Sequence, residues 1–562
     1  MIQNAVRWLT SAIVASILIA STPFASAAAS NAYDATKIDR SFLNEVLAAQ
    51  TSDFDVIVRS TPSPASKRAD RAATAIGKQG GKAKHALPIV GAATARLKGT
   101  QILKLTREPE VDYVVKDAKL RATFDPVADS AKAGTPGILE VNAPRAWSDL
   151  GVTGQGIGVA VVDSGVYAHA DLAGRIAAAI DFTSAAPIVS TTPLGDPGGH
   201  GTHVAGLVAG DGTSSAGLYT GVAPRARIID VRVIDATGTS NVSTILRGLQ
   251  WLLANRNTYN VKVVNMSFGA TPQGSYKSDL LATAAEILNF AGMTVVVAAG
   301  NGGPGAGTIT TPGTDPYVVT VGALDDNQTA TLADDLMPTW SARGRTTFDG
   351  LAKPDLVAPG RRMVSLRVPG STLDTLYPDR QVTATGALTA DYFRLSGTSM
   401  AAPVVSGVLA LMYERNSSLS PAQMKKRLKS TVQPLAFGAD LDRGAGMVNA
   451  YAAASSVDVS KDYASARVSD AFAKDMRRFI QGQPLVWRDL TYNGGVDSAG
   501  TTWEGVTWDK IQWDGTTWEN LVWEGFTWEG ISWEGITWEA VTWETPTVLT
   551  TNDSVSSWLA LD

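Results

Sequence analysis

Val159-Ala160-Val161-Val162-Asp163-Ser164-Gly165 is the stretch from which the fold of this chain can be read. Four apolar residues, three of them β-branched, suit a strand covered on both faces. The carboxylate and the Ser-Gly behind it then stop that strand abruptly. The same pattern recurs at Ala226-Arg227-Ile228-Ile229-Asp230-Val231, Val261-Lys262-Val263-Val264-Asn265 and Thr294-Val295-Val296-Val297. Segments of helical character separate these runs. Residues 133–457 therefore read as an α/β unit, a parallel central sheet with helices on both faces. The functional crevice of such a sheet lies beyond the carboxyl ends of its strands, and Asp163 and Asn301 stand at two of those ends.

Four short polar stretches punctuate this unit in one order: Val161-Val162-Asp163-Ser164-Gly165, Gly199-His200-Gly201-Thr202-His203, Ala298-Ala299-Gly300-Asn301 and Gly397-Thr398-Ser399-Met400-Ala401-Ala402-Pro403. They supply a carboxylate, an imidazole, an amide donor and a hydroxyl, the set that acyl transfer through a serine requires. The order Asp, His, Ser separates this arrangement from hydrolases that run Ser-Asp-His or His-Asp-Ser. Order and flanking residues together resemble the subtilisin-like serine proteases, the subtilases. Lys353-Pro354-Asp355-Leu356-Val357-Ala358-Pro359-Gly360 is similar to that family's segment ahead of the serine.

Each position also has a plainer reading. Ser399 precedes a helical run, Met400 to Arg415, and could be no more than an N-cap. A helix start there also aims N–H groups and positive dipole at developing negative charge, which favours a nucleophile. Asp163 could be a turn residue, and Asn301 a left-handed turn asparagine. The resemblance makes Asp163 the carboxylate that orients His200 and Asn301 the oxyanion donor beside the Ser399 N–H.

Only four histidines are present. His85 falls in the N-terminal region, His169 follows the Asp163 segment, and His203 is expected to pack within the helix of His200. A zinc pair at His200 and His203 fails on spacing, and no glutamate stands between them. Asn265-Met266-Ser267-Phe268-Gly269 resembles the family segment that pairs with extended substrate, making Ser267, Phe268, Gly269 and Gly300 candidate substrate-binding residues. Gly302 in place of a charged residue predicts apolar or broad specificity, with Thr310 narrowing the pocket floor. The glycines at 154–158 precede a strand, so they form no dinucleotide loop, and those at 300–307 lack the lysine of a phosphate loop. No cofactor is required for the chemistry. Structural calcium accords with the family, but no ordered acidic loop names its ligands.

Outward from this unit the chain divides further. Its 562 residues suggest three or four domains, and its net charge of −5 without any basic cluster argues against nucleic acid. The absence of cysteine excludes disulfides and thiolate sites. Residues 1–27 read as a secretory signal, with Arg7, the apolar stretch Leu9 to Ala20, and Ala25-Ser26-Ala27 as the cleavage site. Residues 28–132 read as a small α+β unit with strands at Asp55–Arg59, Ala92–Leu97 and Val111–Val115 and helices at Lys67–Lys84 and Thr100–Arg107. That plan resembles the inhibitory propeptide of subtilases, with the junction expected between Asp125 and Gly137.

Residues 458–500 give no motif. Across 501–545, Trp503, Trp508, Trp513, Trp518, Trp523, Trp528, Trp533, Trp538 and Trp543 recur every five residues, each followed by Glu or Asp. Nine acidic residues against Lys510 give this stretch a charge of −8. On a helix successive tryptophans would precess by about 140°. Short extended pieces joined by bends fit better, as a small β array with stacked rings. It resembles Trp-rich C-terminal repeats of some secreted bacterial subtilases, and 546–562 is a short tail.

The resemblance implies a secreted, monomeric serine endopeptidase, extracellular or associated with the cell surface. It would be made as a zymogen, act on protein or peptide substrates, and be held in check by its own propeptide. The competing reading is a surface-binding protein whose tryptophan array meets a cell-surface or carbohydrate partner, with proteolysis serving only maturation.

Overall fold

The computed structural model describes residues 33–61, 65–122, 138–184, 186–329 and 331–462, together with two-residue strands between 491 and 537. The expected signal segment, the junction window 125–137 and most of the tryptophan array lie outside the described residues.

The N-terminal unit comprises α1 (Arg40–Ala48), β1 (Asp53–Ser60), α2 (Ala65–Lys78), β2 (Ala83–Leu87), β3 (Ala92–Lys98), α3 (Gly99–Leu105) and β4 (Val111–Lys116). Its sheet is antiparallel, in the order β2-β3-β1-β4. Phe42, Val46, Val56, Val58, Ile76, Leu97 and Leu105 form its core. The side chain of Asp39 accepts from the N–H groups of Ser41 and Phe42 and so starts α1. The helix expected to run to Lys84 ends at Lys78 instead. Gly80 there adopts φ +75°, and the chain turns into β2, an edge strand paired only with β3. One more strand, β5 (Lys119–Ala122), follows β4 and leaves this sheet.

The larger unit opens with α4 (Ala143–Leu150), β6 (Gly158–Asp163), β7 (Ile176–Asp181), β8 (Ile188–Ser190), α5 (His200–Ala209), β9 (Arg227–Arg232) and β10 (Thr239–Asn241). It continues through α6 (Val242–Asn255), β11 (Val261–Met266), β12 (Phe268–Gly269), α7 (Leu280–Phe290), β13 (Thr294–Ala298) and β14 (Val319–Leu324). A ribbon of β15 (Gly344–Arg345) and β16 (Ala352–Lys353) precedes β17 (Leu356–Pro359), β18 (Met363–Leu366), α8 (Thr372–Leu376), β19 (Gln381–Val382) and β20 (Tyr392–Leu395). The long α9 (Thr398–Arg415) follows, then α10 (Pro421–Ser430), α11 (Asp440–Arg443) and α12 (Ala450–Ser455).

The central sheet has eight strands in the order β17-β14-β13-β11-β6-β9-β7-β8. Every pair is parallel except β7 with the edge strand β8. Side-chain alternation divides the core in two. Val159 and Val161 join Val263, Val296 and residues of α5 and α9 on one face. Ala160 and Val162 join Val264, Val295, Val297 and residues of α6 and α7 on the other. The parallel sheet with helices on both faces is as expected, apart from the antiparallel β8.

Strand β5 is the link between the two units. It lies antiparallel between β10 and β12, with Arg121 opposite both Thr239 and Gly269, Lys119 opposite Asn241, and Ala122 opposite Phe268. Leu120 is only 2% exposed and joins the core cluster that contains Phe268, Ile245 and Leu246. Behind it, the Asp117 carboxylate accepts from the N–H (2.9 Å) and hydroxyl (2.6 Å) of Ser243 at the start of α6. The N–H of Ile89 donates to Gln250 Oε1 (3.3 Å).

Past α12, residues 458–462 run back along α10. The Asp462 N–H donates to the Ala422 carbonyl (3.0 Å), and Lys429 Nζ pairs with the Asp462 carboxylate (2.7 Å). In the array, Trp528 pairs with Ile531 and Trp523 with Ile536, both antiparallel.

Candidate active site

The carboxyl ends of the central strands carry the site. Asp163 is the last residue of β6, fully buried, and its Oδ1 accepts from its neighbour Ser164 N–H (2.7 Å) and faces His200 Nδ1 (2.8 Å). A carboxylate on Nδ1 favours the ring proton there and leaves Nε2 the nitrogen able to accept one. His200 is the first residue of α5, which Gly199 introduces at φ +90°, a conformation that suits glycine. The fit is close. A Cβ at Gly201 would sit 2.3 Å from the Gly165 carbonyl and 3.0 Å from Asp163 Cβ, so only glycine lets α5 approach β6 this nearly. Burial works against a charged imidazole at His200. The charge and hydrogen bond of Asp163, joined by the charge of Asp196, nevertheless lift its pKa above the ordinary histidine value.

His203 lies inside α5 as expected, but it has a different character. Its Nε2 stands 3.1 Å from the Met363 carbonyl and 3.0 Å from the Phe393 carbonyl, tying α5 to β18 and β20. Burial pushes its pKa down to about 3, so it stays neutral.

Ser399 is the second residue of α9 rather than the residue before it, and the helix is introduced by Gly397 without a side-chain cap. The N-cap reading therefore fails. The Ser399 hydroxyl donates to the Ser267 carbonyl (2.8 Å), while the Ser267 hydroxyl donates to the Ser399 carbonyl (2.9 Å). Asn265 Nδ2 donates to that Ser267 hydroxyl (2.9 Å), and Asn265 Oδ1 accepts from Ser406 one helical stretch further along α9. Of the substrate-segment candidates, Ser267 is thus bonded to the nucleophile candidate.

Asn301 is held by its carbonyl oxygen. Oδ1 accepts from the Thr398 N–H (3.0 Å) and the Thr398 hydroxyl (2.9 Å), and that hydroxyl in turn accepts from the Gly300 N–H (3.1 Å). The arrangement fixes which way the amide faces. It leaves Nδ2 buried without a hydrogen-bond partner, a donor held ready for an acceptor that arrives later. Gly269 and Gly300 flank Thr310. A Cβ on Gly269 would lie 2.2 Å from Thr310 Oγ1, and one on Gly300 would lie 2.7 Å from Thr310 Cγ2. Thr310 therefore fills the space between the two candidate substrate-binding glycines.

Three contributors were not singled out from the sequence: Ser164, Asp196 and Thr398. Asp196, four residues ahead of His200 and followed by Pro-Gly-Gly, had only that placement to mark it. Among the described residues no three acidic or histidine side chains converge to hold a metal, and Asp325 is spent on Arg361 and Arg362 (2.7 Å each). Among the described residues no helix is long and apolar enough to cross a membrane.

Comparison with known proteins follows the same lines. The subtilase family model matches residues 154–451. The serine protease AprX of Bacillus subtilis (strain 168) is 41% identical over 304 residues, covering 53% of this chain and 66% of AprX. Subtilisin NAT of Bacillus subtilis subsp. natto is 33% identical over 384 residues, covering 67% of this chain and 84% of the subtilisin. Fervidolysin from Fervidobacterium pennivorans, a keratinolytic enzyme related to subtilisin, superposes with a TM-score of 0.54 at 22% identity. That superposition covers 73% of this chain and 62% of fervidolysin, and it speaks for the fold alone.

Proposed function

The chain belongs to the subtilase family and is a serine endopeptidase, and we propose that Ser399, His200, Asp163 and Asn301 carry its chemistry in an enzyme made as a self-inhibited precursor. Ser399 Oγ attacks the scissile carbonyl carbon as His200 Nε2 takes its proton. The oxyanion is held by Asn301 Nδ2 and the Ser399 N–H, and Asp163 stabilises the imidazolium. His200 then gives the proton to the leaving amine. Water, deprotonated by the same imidazole, attacks the acyl-enzyme and releases the carboxylic acid. No cofactor enters these steps. The observation that carries the reading is the buried 2.8 Å contact of His200 with Asp163, beside an Asn301 amide held with its donor end free.

Self-inhibition is supported by β5. A substrate strand on Phe268 and Gly269 would take the place Ala122 and Arg121 hold, so the chain's own segment competes for that site. Ser267, which accepts the Ser399 hydroxyl, directly precedes Phe268, the residue Ala122 faces. Processing is therefore expected within the first residues after Ala122, at the near edge of the 125–137 window, and sequencing the mature N-terminus tests this. The secreted, monomeric state and attachment of the tryptophan array to a cell-surface or carbohydrate partner belong to the same proposal. Equal retention on cell-wall material by the full chain and by one lacking 501–562 would remove the attachment. Casein hydrolysis, blocked by a serine-directed inhibitor, tests the activity itself. Hydrolysis unaffected by the inhibitor would reject it.

A further inference from the structure

A buried carboxylate outside the catalytic four touches both motifs that carry the Asp163–His200 pair. Asp196 is 3% exposed and receives four hydrogen bonds. Its Oδ1 accepts from the Ser164 hydroxyl (2.8 Å) and the Gly199 N–H (2.8 Å). Its Oδ2 accepts from the Thr202 N–H (2.8 Å) and the Thr202 hydroxyl (2.7 Å).

Two of these donors are backbone groups at the start of α5, on either side of His200, and a third is the Thr202 hydroxyl on the same helix. The fourth is the side chain that follows Asp163. The network closes on itself, because Ser164 Oγ also accepts from the Gly201 N–H (3.0 Å) and Thr202 Oγ1 accepts from the Tyr167 N–H (2.9 Å). Gly199 offers α5 no capping side chain, so Asp196 supplies the cap from three residues upstream. A carboxylate with four donors is held in one place, and a buried negative charge acts on a neighbouring imidazolium through little intervening water.

We propose that Asp196 is a positioning residue for the reaction. It straps the end of β6 to the start of α5, fixing the Asp163–His200 contact, and its negative charge steadies the protonated His200 formed when Ser399 attacks. The proposal rests on the reading of His200 as the base.

The other charged groups nearby are few. Asp163 faces His200 directly. His203, the next histidine along α5, stays neutral, so it adds no positive charge. From β9, Asp230 lies near Asp196. Burial, reinforced by Asp196, pushes its carboxyl well above the usual range and so favours its neutral form, and its Oδ2 accepts the Val166 N–H (3.1 Å). Arg232, on the same strand, is paired with Asp181 (3.1 Å). Burial raises the Asp196 carboxyl above its ordinary value as well, while the hydrogen bonds from Thr202, Gly199 and Ser164 favour its charged form. Asp163 and Asp196 are the two carboxylates that this cluster sets against the imidazole.

The test is the pH dependence of kcat/KM on a chromogenic peptide, for the mature wild type, Asp196→Asn and Ser164→Ala. Asp196→Asn removes the charge while keeping the shape. Its acid limb should move to lower pH by about 0.5–1 unit, with kcat reduced ~10-fold or more and KM changed less than about threefold. Ser164→Ala keeps the charge but loosens the strap. It should lower kcat with the acid limb in place, and it keeps the proposal testable should Asp196→Asn fail to fold. An Asp196→Asn limb within 0.2 unit of wild type would overturn the electrostatic role, and unchanged kcat in Ser164→Ala would overturn the strap. A wild type with no acid limb would instead remove the reading of His200 as base.

Discussion

Leu120→Ala should loosen the hold of the N-terminal unit on the cleft without touching the catalytic residues. Leu120 is 2% exposed, the innermost side chain of β5, and lies in the cluster with Phe268 and the apolar face of α6. Truncation to alanine removes about three carbon groups' worth of burial, ~2.4 kcal/mol at ~0.8 kcal/mol each, with little added cavity cost because a surface strand can settle. The backbone pairing with β10 and β12 survives, as do the Asp117–Ser243 bonds, so docking is weakened by ~2–3 kcal/mol rather than abolished. That converts to roughly 30–150-fold in the constant for inhibition by the cleaved segment. Progress curves on a chromogenic peptide, started from purified precursor, read this as a shorter lag and an earlier full rate. Lys119→Ala is the control. Its side chain is exposed, and its effect should stay within about threefold. A Leu120→Ala inhibition constant within threefold of wild type, or a Lys119→Ala effect as large as that of Leu120→Ala, would refute the reasoning.

Three further outcomes follow. Asn301→Ala should fold normally and lose ~10²–10³ in kcat, about 2.7–4 kcal/mol, a magnitude established in a subtilisin itself rather than worked from this structure. Steady-state kinetics with an unfolding scan check it. Asp355→Asn should destabilise the domain by ~3–5 kcal/mol, because it leaves two buried lysines, Lys353 and Lys425, without the carboxylate that bonds each (2.8 and 2.9 Å). Denaturant unfolding in the Ser399→Ala background measures this without autolysis. Glu140 is buried beside other carboxyl groups, and burial, together with the charges of Asp335 and Asp326, raises its pKa well above the ordinary glutamate value. A raised folded pKa means the folded state binds the extra proton. Stability is then fullest below the ordinary carboxyl range and falls as pH climbs towards the folded value. Glu140→Gln should flatten that decline and raise the melting temperature at pH 8 relative to wild type, where ~1 kcal/mol reads as roughly 2 °C.

The sequence made the catalytic domain legible because its signals are local. A strand covered on both faces must be apolar throughout, so Val159–Val162, Val261–Asn265 and Thr294–Val297 fall within β6, β11 and β13 with small errors at the ends. The glycines beside His200 and Asn301 mark places where backbone or side chains come within contact distance, a constraint visible in one dimension. What stayed hidden depends on partners distant in the chain. The polar run Lys82 to Lys84 reads as helix until its pairing with β3 is known. Likewise, α1 shows little until its apolar side meets α3 and β1. Asp196 is one aspartate among many until the fold brings Ser164 and Thr202 to it. β5 is the strongest case. Nothing in Lys119-Leu120-Arg121-Ala122 announces a strand that pairs with two strands of another unit.

The central claim, that one serine both hydrolyses substrates and releases the chain from its own N-terminal unit, is tested most directly by Ser399→Ala. The variant should be inert towards casein and should remain at full precursor length under conditions in which wild type matures. Casein hydrolysis at the wild-type rate by Ser399→Ala would contradict the account at its root. Maturation of the inert variant on its own would contradict the self-processing half and assign that cut to another protease.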